Sequence, residues 1–206
     1  MRWRLFAMSC AMVAFEHSSA FAADGDQTAP AAGLTNQQAV VTFGDALMDC
    51  LQSRMSGHMI SDLGDSAAIR VRAAPSADRW LAGPRTPADT PVWITEPLGG
   101  LLAIVEPSPD RCEINAVQLP VDRTFQTVLY ALQQARPDFR QVHIEPGYNP
   151  IAYQLESVVQ GARYVIHLEG AEPGAPGHAL RFSLLYAYVA RQPASAGDQE
   201  GSAPPK

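Results

Sequence analysis

Two short stretches, "VHIEPG" at 142–147 and "IHLEG" at 166–170, each close an alternating strand pattern with His-x-Glu. Side chains alternate sides along an extended chain, so His143 and Glu145 share one face of their strand, and His167 and Glu169 share one face of theirs. Two imidazoles and two carboxylates are a ligand set that zinc accepts at about 2.0–2.2 Å, and the chemistry would be that of a hydrolase or another metal-dependent enzyme. Strand order decides the matter. If 140–145, 151–159 and 162–169 form a simple meander, the outer strands lie about 9.6 Å apart, two strand spacings, and cannot share an ion. Only direct pairing of the outer strands would assemble the site. In the meander these residues form a solvated polar face opposite Val142, Ile144, Ile166 and Leu168, and no metal or other cofactor is expected. The remaining strand carboxylates, Glu96, Glu106, Glu113 and Glu156, fall at strand ends or on alternating faces, where surface carboxylates are expected.

The three cysteines are Cys10, Cys50 and Cys112. Cys10 lies in an N-terminal segment with Arg2 and Arg4, an apolar run from Leu5 to Phe15 and small residues ending in Ala20-Phe21-Ala22, the layout of a secretory signal peptide. Lipoprotein cleavage at Cys10 would leave the apolar "AMVAF" on the mature chain, so cleavage after Ala22 is the expected event, delivering the protein to the periplasm or the exterior. Two cysteines then remain. In an exported chain such a pair predicts a disulfide between Cys50 and Cys112, and closing a loop of 62 residues contributes on the order of 4 kcal/mol. Their spacing lacks the close C-x-x-C pairing of structural zinc sites.

Removing residues 1–22, which hold Arg2, Arg4 and Glu16, leaves 13 basic and 20 acidic side chains and a formal charge of −7. The only lysine is Lys206 and the arginines are scattered singly, so no basic stripe exists to neutralise a phosphate backbone, which argues against a nucleic-acid partner. No later segment approaches the roughly 20 apolar residues of a bilayer span, and no integral membrane span is expected.

The stretch "VVTFGDALMDC", residues 40–50, resembles the first block of GDSL-type esterases and lipases, in which an apolar strand leads into Gly-Asp-Ser-Leu and a further Asp. Ala46 stands in the serine's place. Without that hydroxyl there is no nucleophile for acyl transfer, and the family's C-terminal Asp-x-x-His is absent. The same residues also fit the middle of a helix.

That helix is well marked. Thr35 and Gln38 form a capping box, Val40, Phe43, Leu47, Leu51 and Met55 recur at helical spacing, and Gly57 ends the run. A second amphipathic helix starts near Asp122, buries Phe125, Val128, Leu129 and Leu132, and stops before Pro137. Between and after them lie eight strand patterns. Gly99-Gly100 and "PSPD" at 107–110 read as hairpin turns, and the last strand, apolar on both faces, belongs near the centre of the sheet. The proline-rich loop 82–91 follows one turn of helix at "SADRW", with Trp80 and Trp93 expected to fold back into the core. The order of helix, strands, helix, strands hints at two similar halves, although no residue-level repeat supports it.

These patterns predict an α+β fold, a mostly antiparallel sheet with two main amphipathic helices packed on it. Its expected organisation is a signal peptide at 1–22, a disordered linker at 23–33, a single α+β domain at 34–191 and a disordered tail at 192–206. The helix Phe43-x6-Cys50, a tryptophan strand, the Gly-Gly turn and Arg111-Cys-Glu-Ile together resemble a loose class of uncharacterised exported bacterial proteins with a helix cysteine and a strand cysteine, a resemblance that implies no activity. The functional expectation is an exported, non-enzymatic domain that binds a protein or envelope component through a sheet face or the 82–91 loop. The rival expectations are an enzyme built on the two His-x-Glu strands and a purely structural envelope protein.

Overall fold

Helix α1 (Asn36–Ser56) begins where the capping box places it. The Gln38 N–H donates to the Thr35 hydroxyl at 3.3 Å, and the Thr35 N–H donates to Gln38 Oε1 at 2.9 Å. It ends at Gly57, whose left-handed backbone (φ 74°) turns its N–H onto the Ser53 carbonyl. Helix α2 (Val121–Ala135) buries Val121, Phe125, Val128 and Leu132 and stops before Pro137. Pro120 precedes it without a capping side chain. Instead the Val121 N–H donates to Glu172 Oε1 at 2.7 Å, so a carboxylate distant in sequence caps the helix and meets its positive end.

The computed structural model describes residues 35–83, 86–96, 98–144, 151–175 and 180–193. The expected signal peptide, the linker 23–33, Glu145 and residues 194–206 lie outside them. Eight strands, β1 (Arg70–Ala73), β2 (Val92–Glu96), β3 (Gly99–Ser108), β4 (Arg111–Val117), β5 (Arg140–Val142), β6 (Ile151–Val159), β7 (Ala162–Ala171) and β8 (Leu184–Pro193), form one sheet in the order β1-β2-β3-β4-β8-β7-β6-β5. Every pairing is antiparallel, and with the helices this is the α+β class. The order is palindromic. Each half is a helix followed by a four-strand meander, and the two meanders join where β4 pairs with β8.

Both helices pack on one face, α1 over β4 and β8 and α2 over β7. Phe43, Leu47 and Phe125 meet Ile104, Ile114, Ile166, Leu168, Ala187 and Val189 there, each side chain of this size contributing about 1.5–3 kcal/mol when fully buried. The disulfide joins Cys50 of α1 to Cys112 of β4 with a Cα separation of 5.7 Å, at the middle of this core. The contact between α2 and β7 is closest at Gly170, where an added Cβ would overlap Val121 Cγ1 and crowd the Phe125 ring. The second face carries a smaller core, in which Leu81 and Ala82 of a 3-10 helix (Ser76–Ala82) cover Val92, Ile94, Ala103, Val105 and Val117.

Several local expectations are corrected. Gly99 and Gly100 lie within β3, Gly99 opposite Thr95 at a register irregularity, so the pair belongs to the strand and not to the turn before it. Trp80 is 56% exposed, because the three-residue turn of a 3-10 helix gives the inner side to Leu81 and Ala82. Trp93, by contrast, does pack against the main core as expected, half-buried, with its indole N–H donating to Glu106 Oε2 at 2.9 Å. Strand β8 starts at Leu184 and runs through Gln192 and Pro193, two residues into the expected tail, because β7 continues to pair with it as far as Ala162↔Pro193. Glu106 is not a surface carboxylate. It forms an ion pair with Arg54 at 2.7 Å, both side chains fully buried.

Candidate functional site

The His-x-Glu pairs fall on opposite sides of an intervening strand. Val142 of β5 is opposite Gln154 of β6, which is opposite His167 of β7. The chain is therefore a meander here, and Val142, not His143, comes to the His167 side. By alternation His143, exposed just beyond the end of β5, falls to the other side. Glu145 lies outside the described residues. Among the described residues no three His, Cys, Asp or Glu side chains are grouped to hold a metal ion.

His167 and Glu169 are also not simply solvated. Their side chains are 16% and 19% exposed, with His167 Nε2 3.5 Å from Glu169 Oε2. The reason is the neighbouring strand. Tyr188 of β8 is directly opposite both His167 and Glu113, and Tyr186 is directly opposite both Glu169 and Asn115, so period-two alternation on three central strands gathers these groups on the second face.

Planar groups stack across the strands. The His167 ring lies 5.1 Å from that of Tyr188 at 17°, and the Arg111 guanidinium carbon lies 4.1 Å from the Tyr188 centroid. Arg111 Nε donates to Glu113 Oε1 at 2.6 Å, and its terminal nitrogen donates to the Tyr186 hydroxyl at 2.8 Å. Burial and the Glu113 charge push the Tyr186 phenol up to about 12 against the opposing pull of Arg111, so it keeps its proton at neutral pH. Burial works against the Arg111 charge, but Glu113 and Tyr186 outweigh it and raise its pKa. Farther along the face Arg163 pairs with Glu156 at 2.5 Å, and Gln154 donates to the same carboxylate at 2.7 Å. Two buried atoms of this cluster have no hydrogen-bond partner, Asn115 Nδ2 and His167 Nδ1.

The 3-10 helix and the loop after it rise beside this floor as a wall. A recess of about 340 Å³ lies at the junction, lined by Ala82, Gly83, Thr86, Pro87, Val105, Pro107 and Glu113. The wall is tied down, because Arg79 donates to the carbonyls of Pro87, Ala88 and Thr90 at 3.4, 3.0 and 3.1 Å.

Two features escape a reading of motifs. Arg54 donates to Glu106, to the His58 carbonyl at 2.8 Å and to the Ser108 and Arg111 carbonyls at 2.9 and 3.0 Å, while Glu106 also accepts the Ile60 N–H at 2.8 Å. The Asp49 carboxylate accepts the N–H groups of Ala68 and Ile69 at 3.0 and 2.9 Å. Each left a trace. Arg54 continues the buried stripe of Phe43, Leu47 and Cys50, where a charge demands a partner. The GDSL-like block lies wholly inside α1, so Gly44, Asp45 and Ala46 occupy a helix interior, not the strand-to-helix turn of that family.

The chain matches no known protein family, no curated protein and no solved structure.

Proposed function

We propose that the chain is an exported, non-enzymatic domain, released to the periplasm or the exterior after cleavage following Ala22, that binds a protein or envelope component through the β8–β7 half of the second sheet face. The observation that carries this reading is the contrast across that face. The 3-10 helix packs on β2, β3 and β4, whereas Tyr186, Tyr188, His167 and Glu169 of β8 and β7 stand half-buried beside it. Tyrosine and arginine are the residues on which binding energy concentrates, because they present large, stiff contact areas with a polar tip. The floor is therefore suited to hold a partner, and the pinned 86–91 loop gives it a fixed side wall. Export is supported by the tripartite N-terminus and by the Cys50–Cys112 bridge, which persists in an oxidising compartment.

The test is a Tyr186→Ser, Tyr188→Ser double variant expressed in the native host. It should stay folded and exported while losing co-sedimentation with the envelope fraction, and undiminished co-sedimentation would overturn the assignment of this face. Mass spectrometry of the exported protein should find Ala23 at the N-terminus. A lipid-bearing Cys10 there would overturn the proposed processing.

A further inference from the structure

We infer that the cleft between α1 and α2 binds a small primary amine with a compact apolar body, its ammonium group held by Asp45. The site lies in the helix layer, on the face of the sheet opposite the tyrosines, and does not depend on how that other face is used. Its apolar walls are Val40, Leu47 and Met48 from α1 and Val128 and Leu132 from α2, and its volume is about 150 Å³. An apolar space of that size accommodates a single benzene ring. Two polar side chains line it, Asp45 from α1 and Thr127 from α2, and no cation does.

Two observations point to a ligand and to its charge. Asp45 is half-buried beside these apolar side chains, and among the described residues neither a cation nor a hydrogen-bond donor meets its carboxylate. Burial and the like charge of Asp49, one turn along, push its pKa up from the usual 3.8. The carboxylate is open to the cleft, so a molecule seated there can reach it. A neutral ligand would cover it without supplying a partner, and an anion would be repelled, which selects a cation with apolar surface of its own. Thr127 gives its hydroxyl proton to the Arg123 carbonyl at 2.8 Å, and its oxygen is left as an acceptor. Acceptors from both helices therefore line the cleft, as an ammonium with three donors requires.

The second observation is Gly44. A glycine inside a helix weakens it relative to alanine, yet nothing here excludes a side chain: an added Cβ would meet Val128 Cγ2 at 3.6 Å, an ordinary contact. What the missing methyl leaves is space at the floor of the cleft. Helix stability is forgone where the body of the ligand would lie.

The test titrates the exported protein with cyclohexylamine, followed by amide NMR, beside cyclohexanol and cyclohexanecarboxylate, which share the ring and differ in the polar group. Cyclohexylamine should shift amides of 40–48 and 127–132 and bind at least about tenfold more tightly than either analogue, the worth of one charge-assisted hydrogen bond. Asp45→Asn, which removes the charge and keeps the shape, should abolish the preference for the amine. Gly44→Ala should raise the melting temperature by about 2–4 °C and yet weaken the amine severalfold, opposite signs that a merely structural glycine does not produce. The Tyr186→Ser, Tyr188→Ser variant should bind the amine as the wild type does, which keeps failure of this site distinct from failure of the sheet-face reading. Equal affinity for the amine and the alcohol, a preference that survives Asp45→Asn, shifts confined to other elements, or no binding of cyclohexylamine at all would each overturn the site.

Discussion

The two halves of the palindrome share a plan and differ in how they are held. In the first, α1 is tied to β4 by the Cys50–Cys112 bridge and to β3 by Arg54–Glu106, a pair with no solvent exposure. In the second, α2 lies on β7 by apolar contact at Gly170, and the ionic tie at its C-terminal end is at the surface: Arg136 donates to Asp138 at 2.7 and 2.9 Å, and Ser157 of β6 donates to Asp138 at 2.7 Å. The difference follows from position. Helix α1 straddles the β4–β8 seam, where the two meanders meet, whereas α2 covers β7. Rigidity is concentrated at the seam, beneath the floor of Arg111, Glu113, Tyr186 and Tyr188.

The hardest blow to this comparison is Arg54→Met, which leaves Glu106 charged and buried without its counter-charge, held only by the Ile60 and Trp93 N–H groups. It should cost about 3–5 kcal/mol in urea unfolding. Hydrogen exchange should rise in β2, β3 and β4 well before β6 and β7, and equal loosening of both halves would remove the distinction. A double Arg54→Met, Glu106→Leu replacement recovers only part of the loss, because the Trp93 indole, the Ile60 N–H and three carbonyls remain without partners. Removing the bridge with Cys50→Ala, Cys112→Ala should cost about 2–4 kcal/mol, and thiol labelling of the denatured, unreduced wild-type protein, cleaved after Ala22 and so without Cys10, should find no free sulfhydryl.

In the second half, Gly170→Ala should cost about 1–3 kcal/mol by overpacking, and Val121→Ala should relieve part of that in combination. Additive losses in a double-mutant cycle would show that α2 does not rest on Gly170. The smallest effect belongs to Asp138. The hydrogen bond from Arg136, opposed by desolvation and aided by Ser157, lowers its pKa from 3.8 to about 2. A depressed carboxyl stabilises the fold above its unfolded pKa and ceases to do so as pH falls through the folded one, so the contribution disappears between about pH 4 and pH 2. With the side chain 42% exposed, screening limits it to below about 1 kcal/mol. Melting curves of Asp138→Asn should match the wild type near pH 2 and fall slightly below it at pH 6.

Local signals carried much of this architecture. The Thr35–Gln38 box, the Phe43-Leu47-Leu51 stripe and the two-sided apolarity of β8 are properties of short windows, and each appears where its window places it. Long-range pairing leaves no such trace. That β4 should pair with β8, bringing Asn115 beside Tyr186 and Glu113 beside Tyr188, depends on residues about 75 positions apart. The candidate site was visible only in fragments for that reason: His167 and Glu169 stood out as a pair, but the partners that matter to them lie on another strand. Glu106 was misread because an apolar run ending in a carboxylate resembles a strand reaching solvent until Arg54 arrives from above.

The palindromic order also sets a timetable. Everything that binds α1 to β3 and β4, the Arg54–Glu106 pair and the bridge included, lies within the first 117 residues, whereas β8, the strand completing the centre, is the last strand to be synthesised. Until it arrives, β4 presents a bare edge of unpaired backbone groups in the middle of what becomes the sheet. The completed protein has its edges at β1 and β5, short strands bearing Arg70, Arg72 and Arg140, which discourage pairing with another chain. The unfinished one has no such guard. Truncation before Leu184 therefore yields a stapled half with an adhesive margin, and the hazard for this chain lies in interrupted synthesis more than in the finished surface.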